Sequence, residues 1–294
     1  MTVSPEPTTD PESDTAVLEA VERLESASRT GKPCPPVRDL IGESDLERAY
    51  AVQHSLAARR RAAGARVVGR KIGLTSPAVQ RQLGVEQPDF GLLFDDMNVS
   101  GLATVPTGSL LQPRVEAEVA FVLRADLDQD GLNLGTVRRA VDHAVAALEI
   151  VDSRIAGWDI RITDTVADNG SSALFVLGEK QVRLDEFDPI AVTMRMTADD
   201  VLVSEGNGAA CLGDPLLALL WLARTAQEVG DPLRAGQVVL SGALGPMHSV
   251  TPGTVISAEI SALGTVSVTF ASDAPEPANP PTPHPTSSPK KDPS

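Results

Sequence analysis

The sequence is poor in aromatic residues and cysteines, and it has no long apolar run. Only 3% of the 294 residues are aromatic, so platforms that could stack bases or sugars are scarce. The two cysteines, Cys34 and Cys211, lie far apart, which argues against a disulfide framework or a cysteine zinc site and indicates a reducing compartment. No run approaches the roughly 18 apolar residues of a membrane span, and the acidic N-terminus is unlike a signal peptide. We therefore expect a cytoplasmic protein with no membrane partner.

Basic residues are also in short supply. The chain has 25 Lys and Arg against 40 Asp and Glu, a formal net charge of -15. Nucleic acids are bound by clustered Lys and Arg, so we expect no nucleic-acid partner. The usual nucleotide and hydrolase signatures, GxGxxG after a strand, GxxxxGK[ST] and GxSxG, are missing as well. An acidic protein can still hold a cation.

The composition divides the chain into four parts. Residues 1–14 are acidic and rich in proline, and residues 272–294 have no large apolar side chain, so we expect both tails to be disordered. Residues 15–65 have apolar residues at helical spacing and form a predicted N-terminal helical region. Residues 66–271 form a predicted β-rich catalytic domain, because short β-type runs there are bounded by Gly, Pro, Asp or Asn.

Helix signals are clear at a few positions. The apolar spacing predicts helices over 15–28, 136–148 and 214–228, and Ser44 with Glu47 forms a potential capping box for a further helix. The order of elements predicts an α+β fold without regular βαβ alternation.

Two acidic residues interrupt an apolar strand at 113–123. In an extended strand Glu116 and Glu118 point to the same face, and the strand's second half is apolar on both faces, which indicates burial. Buried neighbouring carboxylates repel each other unless a cation compensates. The apolar run 147–152, with Glu149 and Asp152, offers a third acid, and oxygen ligands favour Mg²⁺ or Mn²⁺. The alternative is that Glu116 and Glu118 form the solvated face of an edge strand.

A lysine lies within a second apolar, glycine-flanked strand. Lys71 follows Gly69 and precedes Gly73. A buried lysine can offset carboxylates, bind an anionic substrate or transfer a proton. The alternative is a lysine whose stem is buried while its ammonium reaches solvent.

Four segments of the chain together carry a family pattern. They are GRKIGLTSPAVQRQLGVEQPDFGLLFDDM (69–97), PRVEAEVAFVL (113–123), ALEIVDSRIAGWDIRITDTVADNGSSALFVLG (147–178) and TPGTVISAEISALGTVSVTF (251–270). In these segments the chain resembles the 2-keto-4-pentenoate hydratases of the fumarylacetoacetate hydrolase superfamily. The resemblance runs in order from about residue 40 to residue 271.

The resemblance implies a fold and an activity. The fold is a mixed β-roll of the fumarylacetoacetate hydrolase type after an N-terminal helical region, in a homo-oligomer, with a decarboxylase as a candidate partner. The activity is that of an Mg²⁺- or Mn²⁺-dependent hydro-lyase of meta-cleavage aromatic catabolism, which adds water to the small dienoic acid 2-hydroxypenta-2,4-dienoate to give 4-hydroxy-2-oxopentanoate. The alternatives on the same fold are a 4-oxalocrotonate-type (2-oxo-3-hexenedioate) decarboxylase and a 2-oxohept-3-enedioate hydratase.

The resemblance also implies roles for individual residues. The metal ligands are Glu116, Glu118 and Glu149; the catalytic residues are Lys71 and Asp89; the substrate-binding residues are Thr75, Asp168, Ser171 and Ser172. Asp89 is a candidate for positioning water or acting as a base, and the alternative is that it only caps a turn. For the hydroxyl residues Thr75 and Ser172, the alternative is that they only form turns.

Four residues, at three places in the chain, depart from the family pattern. Arg70 replaces an aromatic residue, and Gly170 replaces an alanine in the DNxSS stretch that also contains Asn169. Met247 and His248 occupy a loop that is expected to line the distal end of the pocket, where a His or Arg could receive a second carboxylate.

Overall fold

The computed structural model describes residues 14–76, 80 and 87–272. All but the innermost residue of each predicted tail lies outside the described residues, so the disorder of the tails stays a prediction.

The N-terminal part of the described chain is helical, as predicted. Asp14 caps the first helix by accepting a hydrogen bond from the Ala16 N–H, and Gly31 ends it in the left-handed conformation. The third helix is capped by Asp45, which accepts from the Arg48 N–H, so the capping box predicted at Ser44 is wrong by one residue. The helices of this region are α1 (Thr15–Thr30), α2 (Arg38–Ile41) and α3 (Leu46–Ala62).

The rest of the described chain is built on two sheets, with α-helices and short 3-10 helices between the strands. The larger sheet has the order β2-β1-β8-β3-β4-β5, with β9 beside β3, and the smaller has the order β11-β10-β6-β7. β1 and β8 are parallel and the other pairs are antiparallel, so the predicted mixed α+β architecture is confirmed. The elements are β1 (Val67–Gly73), β2 (Asp89–Phe94), β3 (Arg114–Leu123), α4 (Leu134–Ala140), β4 (Val141–Val151), α5 (Ile162–Ala167), β5 (Ser172–Leu177), β6 (Thr193–Ala198), β7 (Val201–Asn207), α6 (Pro215–Glu228), β8 (Val238–Ala243), β9 (His248–Ser249), β10 (Val255–Ile260) and β11 (Gly264–Thr269).

The predicted helix over 136–148 is wrong for most of its length. α4 ends at Ala140, and β4 takes up the following eleven residues. β4 pairs with β3 on one side and β5 on the other, and its last eight residues are buried. An apolar run that is buried on both faces has no hydrophobic period by which a strand can be told from a helix. Pairing with the neighbouring strands β3 and β5 therefore determines that this run is a strand.

One apolar helix is a core element. By length and composition the segment Gly208–Glu228 could cross a membrane. α6, which lies within it, packs into the main apolar cluster, and Leu219, Leu222 and Ala226 are fully buried there. This packing is that of a core helix.

The larger sheet carries an apolar cluster and the candidate site on the same face. Register places Ala120 on the face of Glu118, and Val145 and Ala147 on the face of Glu149. These small residues pack with Phe175 and Leu240 in one apolar cluster. The ionisable side chains of the site therefore lie next to a dry interior.

Candidate metal centre and active site

Three carboxylates meet at the centre of the larger sheet. Glu116 and Glu118 lie on β3, and Glu149 on β4 is the direct cross-strand partner of Glu116. One oxygen of each lies within 4.8 Å of the others. Glu118 and Glu149 are fully buried, whereas Glu116 is partly exposed. Because β3 has strands on both sides, the alternative of a solvated edge strand is wrong.

Three of the oxygens of these carboxylates lack a hydrogen-bond donor. A backbone N–H, that of Gly242, donates to Glu118 Oε2 at 2.7 Å, whereas Glu118 Oε1 and both oxygens of Glu149 have no hydrogen-bond partner. Burial, and then the charge of Glu149, raises the pKa of Glu116 to about 7. Burial and the other two acids raise the pKa of Glu118 well above its usual range. Unpartnered buried carboxylate oxygens at this spacing fit a hard divalent cation.

Lys71 extends from β1 into the same cluster. Its Nζ lies 3.4 Å from Glu149 Oε2, and the side chain is buried, so the alternative of an ammonium in solvent is wrong. Burial lowers the pKa of Lys71, but the charges of Glu149, Asp89, Glu116 and Glu118 outweigh that effect and raise it, which keeps the amine protonated. In a flat sheet the two strands between β1 and β4 would hold them roughly 14 Å apart, so this contact reports a strongly curled sheet.

Asp89 lies beside Lys71, on β2. It pairs with Gly73 on β1, is fully buried, and neither carboxylate oxygen has a hydrogen-bond partner. A Cβ at Gly73 would lie 2.1 Å from Asp89 Oδ1 and 3.3 Å from Lys71 Nζ, so glycine is required there. Burial raises the pKa of Asp89, opposed by the charge of Lys71. The turn-cap alternative is wrong, because Asp89 is in a strand.

Thr75 lies next to Gly242, the β8 residue whose N–H donates to Glu118. It follows β1, is buried, and packs so closely on Gly242 that a Cβ there would lie 2.4 Å from Thr75 Oγ1. Gly242 has a φ of +114°, a conformation that favours glycine. The pairing of β8 with β3, in which Glu118 lies opposite Ala243, brings the neighbouring Gly242 N–H to Glu118. Sequence reasoning missed Gly242, whose only signal is the glycine that ends the run QVVLSG.

The predicted substrate residues of the DNxSS stretch fall into two groups. The Asp168 carboxylate is hydrogen-bonded to other residues of the chain. It accepts from the Arg154 guanidinium, from the Arg154 N–H at 3.0 Å and from Ser171 Oγ at 3.3 Å. These contacts favour a structural role for Asp168 and Ser171. The Ser172 hydroxyl is buried without a partner and is available to a ligand.

The residues between them support Lys71 and β2. The Asn169 side chain makes the two hydrogen bonds to Leu92 that a neighbouring strand would make. Its amide donates to the Leu92 carbonyl at 2.9 Å, and its Oδ1 accepts from the Leu92 N–H at 2.8 Å. Gly170 has a φ of +63°, and a Cβ there would lie 3.1 Å from Lys71 Cδ and Cε. The absence of a side chain at Gly170 leaves room for the buried lysine.

Two of the departures from the family pattern point away from the carboxylates. Arg70 is buried and donates to the Asp231 carbonyl at 2.6 Å, on the face of β1 opposite to Lys71. His248 pairs with Val115, so it lies on the face of β3 opposite to Glu116. The expectation that His248 receives a second carboxylate is therefore wrong.

Arg154, which sequence reasoning also missed, should matter for stability. Replacing Arg154 by Met leaves the buried Asp168 carboxylate unpaired, and we expect a loss of about 3–5 kcal/mol in the free energy of unfolding, measured by urea denaturation. Adding Asp168→Asn to Arg154→Met should recover part of the loss. The control, Arg195→Met, removes an exposed ion pair and should change the free energy of unfolding by less than about 1 kcal/mol. A wild-type unfolding curve for Arg154→Met would contradict this account.

Comparison with known proteins agrees with this geometry. Residues 75–271 match the fumarylacetoacetate (FAA) hydrolase C-terminal family. The chain belongs to this family. Within it, the chain is 55% identical over 256 residues to the TodF product hydratase of Pseudomonas putida, covering 87% of this chain and 96% of the relative. It is 50% identical over 255 residues to the 2-keto-4-pentenoate hydratase of Paraburkholderia xenovorans, covering 87% and 95%.

A solved structure extends the comparison to the fold. The 4-oxalocrotonate decarboxylase of Pseudomonas putida, complexed with magnesium and adipate, superposes with a TM-score of 0.82 at 34% identity, covering 86% of this chain and 97% of that chain. The resemblance to the 2-keto-4-pentenoate hydratases and the fumarylacetoacetate hydrolase fold are thereby confirmed.

Proposed function

We propose that this member of the fumarylacetoacetate hydrolase family is a hydratase that adds water to 2-hydroxypenta-2,4-dienoate and forms 4-hydroxy-2-oxopentanoate. The observation that carries the proposal is the buried cluster of Glu116, Glu118 and Glu149 with Lys71 beside it. Relatives at 50–55% identity that are named as hydratases support the choice of reaction. The homo-oligomer, the decarboxylase partner and the cytoplasmic location stay predictions.

The three carboxylates would hold a divalent ion, Mg²⁺ or Mn²⁺. Their unpartnered oxygens are hard ligands, and the ion's charge would offset their repulsion. When bound, such an ion supplies a Lewis acid for the substrate's C1 carboxylate and 2-oxygen. The related decarboxylase structure, which contains magnesium, supports this assignment.

Lys71 and Asp89 would handle the protons. Ketonisation moves the 2-hydroxyl proton of the dienol to C5, and hydration then adds OH to C4 and H to C3. The protonated Lys71 amine, in a dry site, is placed to donate a hydrogen bond to the substrate carboxylate or to carry the ketonisation proton. Asp89, buried and without a hydrogen-bond partner, would accept a proton from the attacking water and return it to C3.

A substrate assay tests the reaction. Enzymically generated 2-hydroxypenta-2,4-dienoate is supplied with Mg²⁺ or Mn²⁺, and substrate absorbance, product identity and CO₂ release are followed. We expect metal-dependent formation of 4-hydroxy-2-oxopentanoate without CO₂. The same assay with 2-oxo-3-hexenedioate and 2-oxohept-3-enedioate separates the alternatives: faster turnover of the former with release of CO₂ would make the protein a decarboxylase, and metal-independent turnover would contradict the mechanism.

Asp89→Asn tests the proton-transfer role. The amide cannot accept a proton from water, so we expect kcat to fall about 10²- to 10⁴-fold while the protein still binds Mn²⁺. Steady-state kinetics and a Mn²⁺ titration measure the two effects. Asp130→Asn, an exposed loop position, is the matched control and should behave as wild type. Loss of Mn²⁺ binding in Asp89→Asn would instead assign Asp89 to the metal centre.

A further inference from the structure

A cleft of about 410 Å³ opens beside the start of β3. Its walls come from the segment 107–114, from Trp158 and from the segment 249–252. Leucine, valine and proline side chains line the cleft together with the indole of Trp158, and Arg114 is the charged residue of this lining. The described part of the chain therefore forms an apolar surface with one positive charge here.

The guanidinium of Arg114 is held in place without an anionic partner. It lies 4.3 Å from the centre of the Trp158 ring, and Nη1 donates to Met247 Sδ at 3.4 Å. Across the described parts of the chain, no Asp or Glu forms an ion pair with it. A guanidinium supported on an aromatic face keeps a fork of donors that matches a carboxylate.

The chain leaves the folded body at the rim of this cleft. The Ala271 N–H donates to the Val105 carbonyl at 2.8 Å, and Thr107 Oγ1 donates to the Ala271 carbonyl at 3.4 Å. The Gly253 N–H also donates to the Ala271 carbonyl, at 3.1 Å, and a Cβ at Gly253 would lie 3.8 Å from Ser272 Cβ. Thr107 lines the cleft and Gly253 directly follows its last lining segment, so the C-terminal tail begins at the rim.

The tail, residues 273–294, has the composition of a ligand for such a surface. It contains eight of the 23 prolines of the chain. A proline-rich segment forms no core of its own, but it favours the extended polyproline II conformation, which aromatic-lined grooves bind at little cost in entropy. Glu276, between Pro275 and Pro277, follows Ser272 by four residues, a stretch of about 12 Å in that conformation. This length is enough to take a carboxylate across a cleft of this volume.

We propose that the segment 273–285 of the tail docks in this cleft on its own chain, with its proline rings against the apolar wall and Glu276 paired with Arg114. The start of the tail at the rim selects this occupant. A short tether gives an effective concentration in the millimolar range, so weak contacts are enough to keep the tail docked. The docking surface lies outside the candidate active site, and the inference does not rest on the proposed function.

A fluorescent label on the tail of the full chain tests the docking. Cys34 and Cys211 are buried, so a bimane reagent should label Ala278→Cys selectively. Tryptophan quenches bimane on contact. We expect Trp158→Phe to raise the emission about twofold or more, because at a millimolar effective concentration a Kd of about 1 mM keeps half of the tails docked. Trp221→Phe, which changes a tryptophan packed against the main apolar cluster, is the matched control and should leave the emission unchanged.

Two substitutions test the charge pair in the labelled chain. Arg114→Gln and Glu276→Gln should each raise the emission, and the double variant should show no more than the larger single effect, because both changes remove the same pair. High salt should act in the same direction. Arg195→Gln and Asp292→Asn, which remove charges elsewhere on the smaller sheet and in the tail, should keep the wild-type emission. Additive effects of the first two substitutions would contradict the pair.

A mixing experiment separates the chain's own tail from that of another copy. Labelled Trp158→Phe chains are assembled with an excess of unlabelled wild-type chains, and we expect them to stay bright. Quenching in this mixture would assign the cleft to the tail of a second copy and overturn the proposal. Equal emission of the labelled chain with and without Trp158→Phe would overturn docking altogether. None of these measurements requires turnover, so their outcome is independent of the proposed reaction.

Discussion

Replacing Glu118 by Gln is expected to lower kcat/KM by about a thousandfold or more and to abolish Mn²⁺ binding at micromolar concentrations. The substitution removes one of three charges that would hold the ion, and a thousandfold loss corresponds to about 4 kcal/mol of transition-state stabilisation. The amide oxygen can still accept the hydrogen bond from Gly242, so the pairing of β3 with β8 around it should persist. Steady-state kinetics and calorimetric metal titration measure both effects.

The same variant should not lose stability without metal. Glu118 is buried among like charges, so removing its charge relieves repulsion, and we expect the Tm of metal-free Glu118→Gln to equal or exceed that of the metal-free wild type. The rise in Tm that Mn²⁺ produces in the wild type should be absent. Glu259→Gln, at an exposed position on β10, is the control and should keep that rise. Full activity in Glu118→Gln would overturn the metal mechanism.

Replacing Lys71 by Met is expected to lower kcat about 10²- to 10⁴-fold while metal binding is kept or strengthened. Methionine is long enough to fill much of the space but cannot donate a proton or a hydrogen bond. Its neutral side chain also removes a positive charge 3.4 Å from Glu149, which favours a divalent ion on the carboxylates. Kinetics with saturating Mn²⁺, and a Mn²⁺ titration, separate the two effects.

Metal-free stability distinguishes Lys71→Met from Glu118→Gln. Losing the ammonium leaves the buried acids without this counter-charge, so we expect a lower Tm for metal-free Lys71→Met, partly restored by Mn²⁺. Lys71→Arg should not restore activity, because the backbone of Gly170 packs against the lysine stem. The exposed Lys180→Met is the matched control. Wild-type kinetics in Lys71→Met would make Lys71 a bystander.

Local pattern was enough to find the central residues of the candidate site. Glu116 and Glu118 follow the two-residue period of a strand within an apolar run, and that period alone assigns them to one face. Lys71, in another apolar strand, stands out because burying an amine is costly. The helices α1 and α6 were also predicted from local pattern, because apolar residues at helical spacing form one buried face of a helix.

Contacts between residues that are distant in the sequence could not be predicted from local pattern. Periodicity predicted a helix where β4 lies, because a run buried on both faces carries no usable period. Arg154 was missed because an arginine pairs with a buried Asp168 only after two loops meet. Gly242 was missed for the same reason: its N–H reaches Glu118 only because β8 pairs with β3.

By itself the sequence determined the residue types and their local faces: a pair of acids on one strand face, a lysine in an apolar strand, and family motifs in order. Only the tertiary structure decided that Glu149 on β4 lies directly opposite Glu116 on β3, and that the larger sheet curls so that Lys71 on β1 reaches Glu149. It also decided that His248 lies on the face opposite to Glu116. The physical reason is that the alternation of side chains along a strand is a local property of the backbone. Strand register and sheet curl instead depend on how many strands, distant in sequence, pack together to bury one shared apolar interior.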